Sequence, residues 1–267
     1  MFTINRRSLM LAASLSLLPL GALPAHAANE TVRIGMDVDA VSLDPRTARN
    51  TTDYRVMDLI YDGLVRLSPG LLPQPNLALK WEQTDPTTII FDLRDDARFH
   101  DGKPVLASDV VFTYTTILDP KLASNAASLF APIQSVEALG DHQVKFTLKH
   151  PYAPLLSYLD IGIVPQHLVE AGHDISAQPV GSGPYKFVRW SRGHQIALEA
   201  NADYESGEPG TREIVFVTLG DNTARAQALE AGDLDIVMTP LSPDDVERLA
   251  ADDRFNHTRL PGLTITY

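Results

Sequence analysis

The sequence predicts an α/β protein with mixed sheets and several β-hairpins. Three observations carry this expectation. Alternating apolar and polar residues flank turn-forming residues in three places, and a strand–helix–strand succession follows them. The composition is that of a folded chain, 44% hydrophobic and 21% charged over 267 residues, enough for one large or two modest domains.

The elements follow in order. "TVRIGM" (31–36) alternates as a first strand, and "DVDAVSLDP" (37–45) is a loop whose Asp44 and Pro45 mark a turn. Met57, Ile60, Tyr61 and Leu64 recur at helical spacing, with Thr52 or Asp53 available as the N-cap. The two prolines of "LLPQPNLA" (71–78) lack the N–H that a helix or central strand needs, which predicts a surface connection. "LKWEQ" and "TIIFDLR" around Thr84–Thr87 form the first hairpin.

Phe99 then ends the strand region, and Asp101 and Gly102 make a turn. Ser108 caps a helix with Val111, Tyr114 and Leu118 on one stripe, stopped by Asp119 and Pro120. "IQSVEAL" and "QVKFTLK" make a second hairpin, with Val144, Phe146 and Leu148 facing inward and His142 in the turn. "YAPLLSYL" (152–159) predicts a short helix over the sheet. The third hairpin is "YKFVRW" and "QIALEA" around Ser191–His194. "EIVFV" (213–217), "NTARAQALEAG" (222–232) and "LDIVM" (234–238) read as a parallel crossover with Gly232 at the helix end. Ser242 and Pro243 open a last helix, "PDDVERLA". The terminal "LTITY" alternates like a strand without a closing turn or polar tail, so a fragment of a longer protein is expected.

Residues 1–27 read as a cleaved signal peptide: Arg6 and Arg7, an apolar run from Leu9 to Leu20, and small Ala25 and Ala27 before the cut. The general secretory and twin-arginine routes both suit the paired arginines. The apolar run is shorter than the roughly 20 residues a bilayer-spanning helix needs, so no membrane insertion of the mature chain is expected. There is no cysteine, hence no disulfide and no lipid-bearing thiol, and a chain of this size folds without such staples. The expected location is the periplasm. Without Arg6 and Arg7, 20 basic residues face 34 acidic ones, a net charge of −14, and no basic block exists to neutralise phosphates. Nucleic acid is excluded as a partner class.

The eight histidines include no pair at metal-ligand spacing, so neither metal nor cofactor is expected. His100 and Asp101 are adjacent on extended backbone, where side chains diverge, and cannot serve each other as ligand or base. "GSGPY" (181–185) lacks the G-x-S-x-G of a nucleophile elbow and the third glycine of a dinucleotide loop. Gly181, Ser182, Gly183 and Pro184 read instead as a tight, crowded turn before a strand. Tyr61, Tyr114, Tyr152, Tyr158, Trp81 and Trp190 lie on apolar faces or strand ends and read as core. No nucleophile, base and orienting group stand at a recognisable spacing, so no enzyme is expected, with a periplasmic hydrolase as the remote alternative.

Several stretches occur in the order of similar elements in one family. They are "SLDP" (42–45) with "IYDGLV" (60–65), "LALKWE" (77–82), "FDLRDDARFHDGKPVLASDVVFTY" (91–114), "PVGSGPYKFVRW" (179–190) and "ALEAGDLDIV" (228–237). Over nearly all of the mature chain the sequence resembles the solute-binding proteins of peptide, oligopeptide and nickel ABC importers, solute-binding family 5. Ser182 stands where that family has threonine, which keeps a hydroxyl.

The resemblance implies a periplasmic-binding-protein-like lobe. Residues 28–262 would be an incomplete first lobe with a hairpin-rich subdomain around 46–178, and 263–267 would begin the crossing into a second lobe that is mostly missing. It implies capture of a small solute, a di- or oligopeptide first, for delivery to membrane permease subunits. A ligand-presenting accessory of a chemoreceptor is the alternative. Asp37, Val38 and Asp39, in the loop after the first strand, are the ligand-contact residues it implies. His100, Asp101 and Gly102, with Gly181, Ser182, Gly183 and Pro184, would be scaffolding turns.

Overall fold

The computed structural model describes residues 31–258. The signal segment 1–27 and the strand expected at 263–267 lie outside the described residues. Thr31–Met36 forms β1 and Thr51–Ile60 forms α1. Asn50, not Thr52 or Asp53, caps α1: its side chain accepts the Asp53 N–H at 2.8 Å, while the Asp53 carboxylate accepts the Asn50 N–H at 3.3 Å. This reciprocal box satisfies two donors that a helix start leaves open. Leu64 falls outside the helix, which ends where Tyr61 turns extended at φ −119°.

β2 (Val65–Leu67) and β3 (Pro73–Pro75) pair as a small antiparallel ribbon, so the proline-rich connection is partly strand. A two-stranded edge tolerates the missing N–H groups that exclude proline from a sheet centre. The first hairpin, β4 (Ala78–Asp85) and β5 (Thr88–Leu93), closes through Asp85, whose carboxylate accepts the Thr87 N–H at 2.8 Å.

In α2 (Ala107–Leu118) Ser108 lies inside the helix. Leu106 holds the cap position, and its N–H donates to the Asp109 carboxylate at 2.9 Å. The buried face runs through Val110, Thr113, Tyr114 and Ile117, while Val111 and Leu118 pack only at its margin. After α3 (Ala127–Phe130) come β6 (Ile133–Ala138) and β7 (Gln143–Leu148), which complete an antiparallel sheet in the order β4-β5-β7-β6. Ala153–Tyr158 is a 3₁₀ turn with Leu155 buried, and α4 (Gln166–Glu170) follows.

The third hairpin is β8 (Tyr185–Ser191) and β9 (Gln195–Ala200). β10 (Glu213–Thr218), α5 (Asn222–Ala231), β11 (Ile236–Val237) and α6 (Pro243–Ala250) complete the described chain, with Gly232 left-handed at φ 81° after α5. The second sheet runs β11-β1-β10-β9-β8. β1 lies between β10 and β11 and parallel to both, so the crossover through α5 passes over it rather than joining neighbours.

Two cores result. One packs α2 on the four-stranded sheet through Phe91, Tyr114, Phe130 and Phe146, with ring centroids 5.1–5.2 Å apart and tilted edge to face. The other packs α1 on the five-stranded sheet through Met36, Val56, Ile60, Leu198 and Phe216. Fully burying each such side chain stabilises the fold by roughly 1.5–3 kcal/mol.

Candidate functional site

Because β1, β10 and β11 are parallel, their carboxyl ends share one edge of the sheet. The β8–β9 turn reaches the same edge, where the Thr218 N–H donates to the His194 carbonyl at 2.8 Å. Loops there meet where the strand order reverses, which is where open α/β sheets place ligands. The 37–43 loop is held on two sides. Asp39 accepts the Trp190 indole N–H at 3.1 Å and the Gly193 N–H at 2.7 Å, and the Arg192 guanidinium lies 3.3 Å over the Trp190 ring while donating to the Val41 carbonyl. On the other side the Val41 N–H donates to Asp53 of α1 at 2.7 Å. Val38 and Val41 remain 48% and 53% exposed at this edge, well above what a folded interior leaves open.

Next to Asp53, Tyr54 opens a concavity of about 600 Å³, counting its open mouth, between α1, α3 and the Tyr158–Gly162 segment. Its placement follows from local chemistry. Asp44 and Arg46 form a buried ion pair at 2.8 Å, and Arg46 also donates to Thr116 of α2. The Ser124 hydroxyl donates to the Arg46 carbonyl at 2.6 Å and the Asn125 amide to the Ala48 carbonyl at 3.0 Å, which set α3 beside α1. Gly162 lets the third wall approach, since a Cβ there would lie 2.4 Å from the Tyr61 Cβ. Partial desolvation by the pocket walls, and then the charge of Asp160, raises the Asp58 carboxyl to about 6, and partial desolvation also raises Asp160, although both residues stay exposed at the rim. Perturbed carboxyls in an aromatic pocket mark a candidate site.

The residues singled out in the sequence separate into two places. Asp37, Val38 and Asp39 lie in the loop at the sheet edge, where the Asp39 carboxylate is already occupied by Trp190 and Gly193. His100 and the 181–184 turn, far apart in sequence, meet each other. The His100 N–H donates to the Gly181 carbonyl at 2.7 Å, its ring bonds the Gly183 carbonyl at 3.0 Å, and the Gly181 N–H donates to Nδ1 at 3.3 Å. The Gly183 N–H in turn caps the last carbonyl of α1, at Ile60, and a Cβ on Gly181 would sit 2.0 Å from that oxygen. Ser182 donates to buried Asp62 at 3.2 Å, and Asn201 binds the Gly183 and Pro184 carbonyls. Asp101 points away from His100 to His167 at 2.7 Å, and Gly102 takes φ +85° in the turn between them.

Tyr54, Asp58, Leu129 and Asp160 escaped the sequence reading, and Tyr158, read there as core, instead lines the concavity half-buried. Their one visible signal was an aspartate on the helix periodicity of α1, which resembles any solvated face. Among the described residues no cluster of three or more His, Asp or Glu is arranged to hold a metal ion, and no helix is long and apolar enough to cross a membrane.

A sequence model described as "Bacterial extracellular solute-binding proteins, family 5 Middle" matches residues 73–267. The chain belongs to this family. Family 5 proteins are solute-binding proteins. Among curated relatives, Protein XP55 of Streptomyces lividans is 36% identical over 187 residues, covering 68% of this chain and 34% of that protein. The probable D,D-dipeptide-binding periplasmic protein of Escherichia coli is 29% identical, covering 91% of this chain and 50% of its own length. A solved family 5 neighbour, the binding protein MoaA of A. tumefaciens in complex with mannopinic acid, is 32% identical with a TM-score of 0.79, over 84% of this chain and 48% of that one. The chain thus spans about half or less of the length of the relatives it matches.

Proposed function

We propose that this chain forms one wall of a solute-capturing protein that works in the periplasm, takes up a di- or oligopeptide and hands it to the membrane permease of an ABC importer. The observation that carries the reading is the uncovered edge at the carboxyl ends of β1, β10 and β11. Val38 and Val41 are more than a third exposed there, and Tyr54 and Leu129 are equally exposed at an aromatic concavity beside α1. Exposed apolar surface bordering a pocket marks a place where something else closes. The family membership and the peptide-binding name of the E. coli relative support peptide as the solute.

In this reading a second wall closes over the bound solute. Ligand favours the closed state only through the contacts it makes with both walls. His100, Asp101 and Gly102, with Gly181–Pro184, hold the frame, and Asp37–Asp39 present loop backbone toward the solute. A complete site of roughly micromolar affinity gains about −8 kcal/mol, and half of that leaves affinity near millimolar. Saturation-transfer NMR of the protein with di- and tripeptides, sugars and organic acids tests the proposal. Transfer to peptide protons alone, at roughly millimolar affinity, is expected. Transfer to sugars or organic acids with none to peptides would remove the peptide assignment.

A further inference from the structure

We infer that Trp190, Arg192 and Gly193 of the β8–β9 turn are positioning residues for solute capture: acting through Asp39, they set the shape of the 37–39 backbone that a solute meets, without touching the solute themselves. This rests on the solute-capture reading and names what makes its loop a fixed wall. Among the described residues, 37–40 make no backbone–backbone hydrogen bond. The β1 ladder ends at Met36, opposite Thr218, and the next backbone tie comes at Leu43, whose N–H donates to the Ser176 carbonyl. A stretch without a ladder takes its shape from side chains or from water. The far end is fixed, because Ala40 is buried and Asp53 holds the Val41 N–H. That leaves Asp37, Val38 and Asp39, whose one polar tie among the described residues is the Asp39 carboxylate.

The partners of that carboxylate stand on a rigid support. Trp190 pairs with Ile196 across the hairpin, its ring packs against the core of the five-stranded sheet, and the Arg192 guanidinium covers it at 3.3 Å. The indole N–H lies 3.1 Å from one Asp39 oxygen and 3.2 Å from the other, and the Gly193 N–H lies 2.7 Å from the second, so both oxygens are engaged. Gly193 takes φ +73°, a conformation glycine adopts without strain. Arg192 adds a second tie by donating to the Val41 carbonyl at 3.2 Å. Hydrogen bonds to a carboxylate are among the stronger ones, and here they are spent on holding the loop. A wall already in its bound shape binds more tightly than one the solute must order, because ordering costs conformational entropy.

The test compares wild type with W190F, D39A and the double variant. NMR titrations use trialanine with a free and with an acetylated amino terminus, and 15N order parameters are measured without peptide. Order parameters of about 0.85 at Asp37 and Val38 should fall below about 0.6 in every variant. Affinity for both peptides should fall roughly tenfold in each single variant and no further in the double, since the two residues act as one unit. W190F supplies the sign, because it strips a donor from Asp39 and leaves the carboxylate charge in place. Were Asp39 itself the seat of the solute amine, W190F would tighten the free-amine peptide and D39A would weaken that peptide alone. Either result would overturn the inference, as would order parameters or affinities that stay at wild-type values, even beside a lowered urea midpoint. R192A, at an exposed position, carries the same test with about a threefold loss expected if W190F fails to fold. The order parameters need no solute, so the two readings fail separately. A wild type that binds neither peptide ends the peptide assignment, whereas a loop that stays ordered in W190F ends the positioning role.

Discussion

Beside the 181–184 turn, the His100 ring has one tautomer open to it: Nδ1 accepts the Gly181 N–H, so Nε2 carries the proton and donates to the Gly183 carbonyl. A second ring proton would face a donor. Burial, and to a lesser degree the charge of Lys186, depresses the group from 6.5 to about 4, against the pull of the Gly183 carbonyl. Between those two values the unfolded chain binds the proton and the folded one does not, so stability is lost as pH falls through that window. Asp58 and Asp160, raised in the folded state, act in the opposite direction and cancel when two variants are compared. H100Q can supply the same donor and acceptor without titrating. Wild type should lose about 2–3 kcal/mol relative to H100Q between the upper and lower ends of this window, measured by urea denaturation at each pH. A difference independent of pH would contradict the neutral-ring assignment. The divergence of His100 from Asp101 was legible, because backbone geometry settles it locally. That His100 would meet Gly181 was not, because 81 residues separate the partners.

The crossover that ends the described chain depends on a residue that no pattern marks. Arg225 of α5 is 1% exposed and donates to the Leu219 and Pro240 carbonyls and to Asn222. It thereby ties together the segments leaving β10 and β11, which form the candidate edge. Among the described residues no carboxylate pairs with it, so carbonyl dipoles carry the cost of burying its charge. Replacing it by methionine keeps the volume but leaves those carbonyls unmet. R225M should cost about 2–4 kcal/mol in denaturant unfolding and speed amide exchange at Leu219, Gly220, Met238, Thr239 and Leu241. Unchanged exchange there would assign Arg225 a merely local role.

The three hairpins and the helix of this crossover were readable because alternation and turn chemistry are short-range. Caps were less so. Asn50 and Leu106 won the cap positions because Asp53 and Asp109, three residues on, bind their N–H groups. In both cases an aspartate inside the helix decided where it begins, a choice that Thr52 or Ser108 could equally have claimed in sequence.

The two sheets are joined by polar contacts as well as apolar packing. Ser182, Asn76 and Tyr204 all bind the carboxylate of Asp62, which is 5% exposed, and Arg94 pairs with Glu205 at 3.0 Å. Breaking such a network leaves buried groups unpaired on both sides, so the sheets should unfold together. Trp81 lies in the four-stranded sheet and Trp190 in the five-stranded one, which gives each its own fluorescent probe. W190F and W81F, each retaining one tryptophan, should each give a denaturation midpoint that coincides with the one the same variant shows by circular dichroism. Fluorescence and dichroism midpoints that separate would mean the hairpin-rich layer folds as a unit of its own.

Periodicity, turn residues and ordered motifs were enough to establish strands, helices and the family, since each is written within a few neighbouring residues or in their order. The meeting of α1, α3 and the Tyr158–Gly162 segment around Asp58 and Asp160 is different. It depends on contacts between segments about 100 residues apart, permitted by Gly162 and the Arg46 ion pair. Packing across such separations follows from the summed shape of both cores, and no local stretch of chain encodes it.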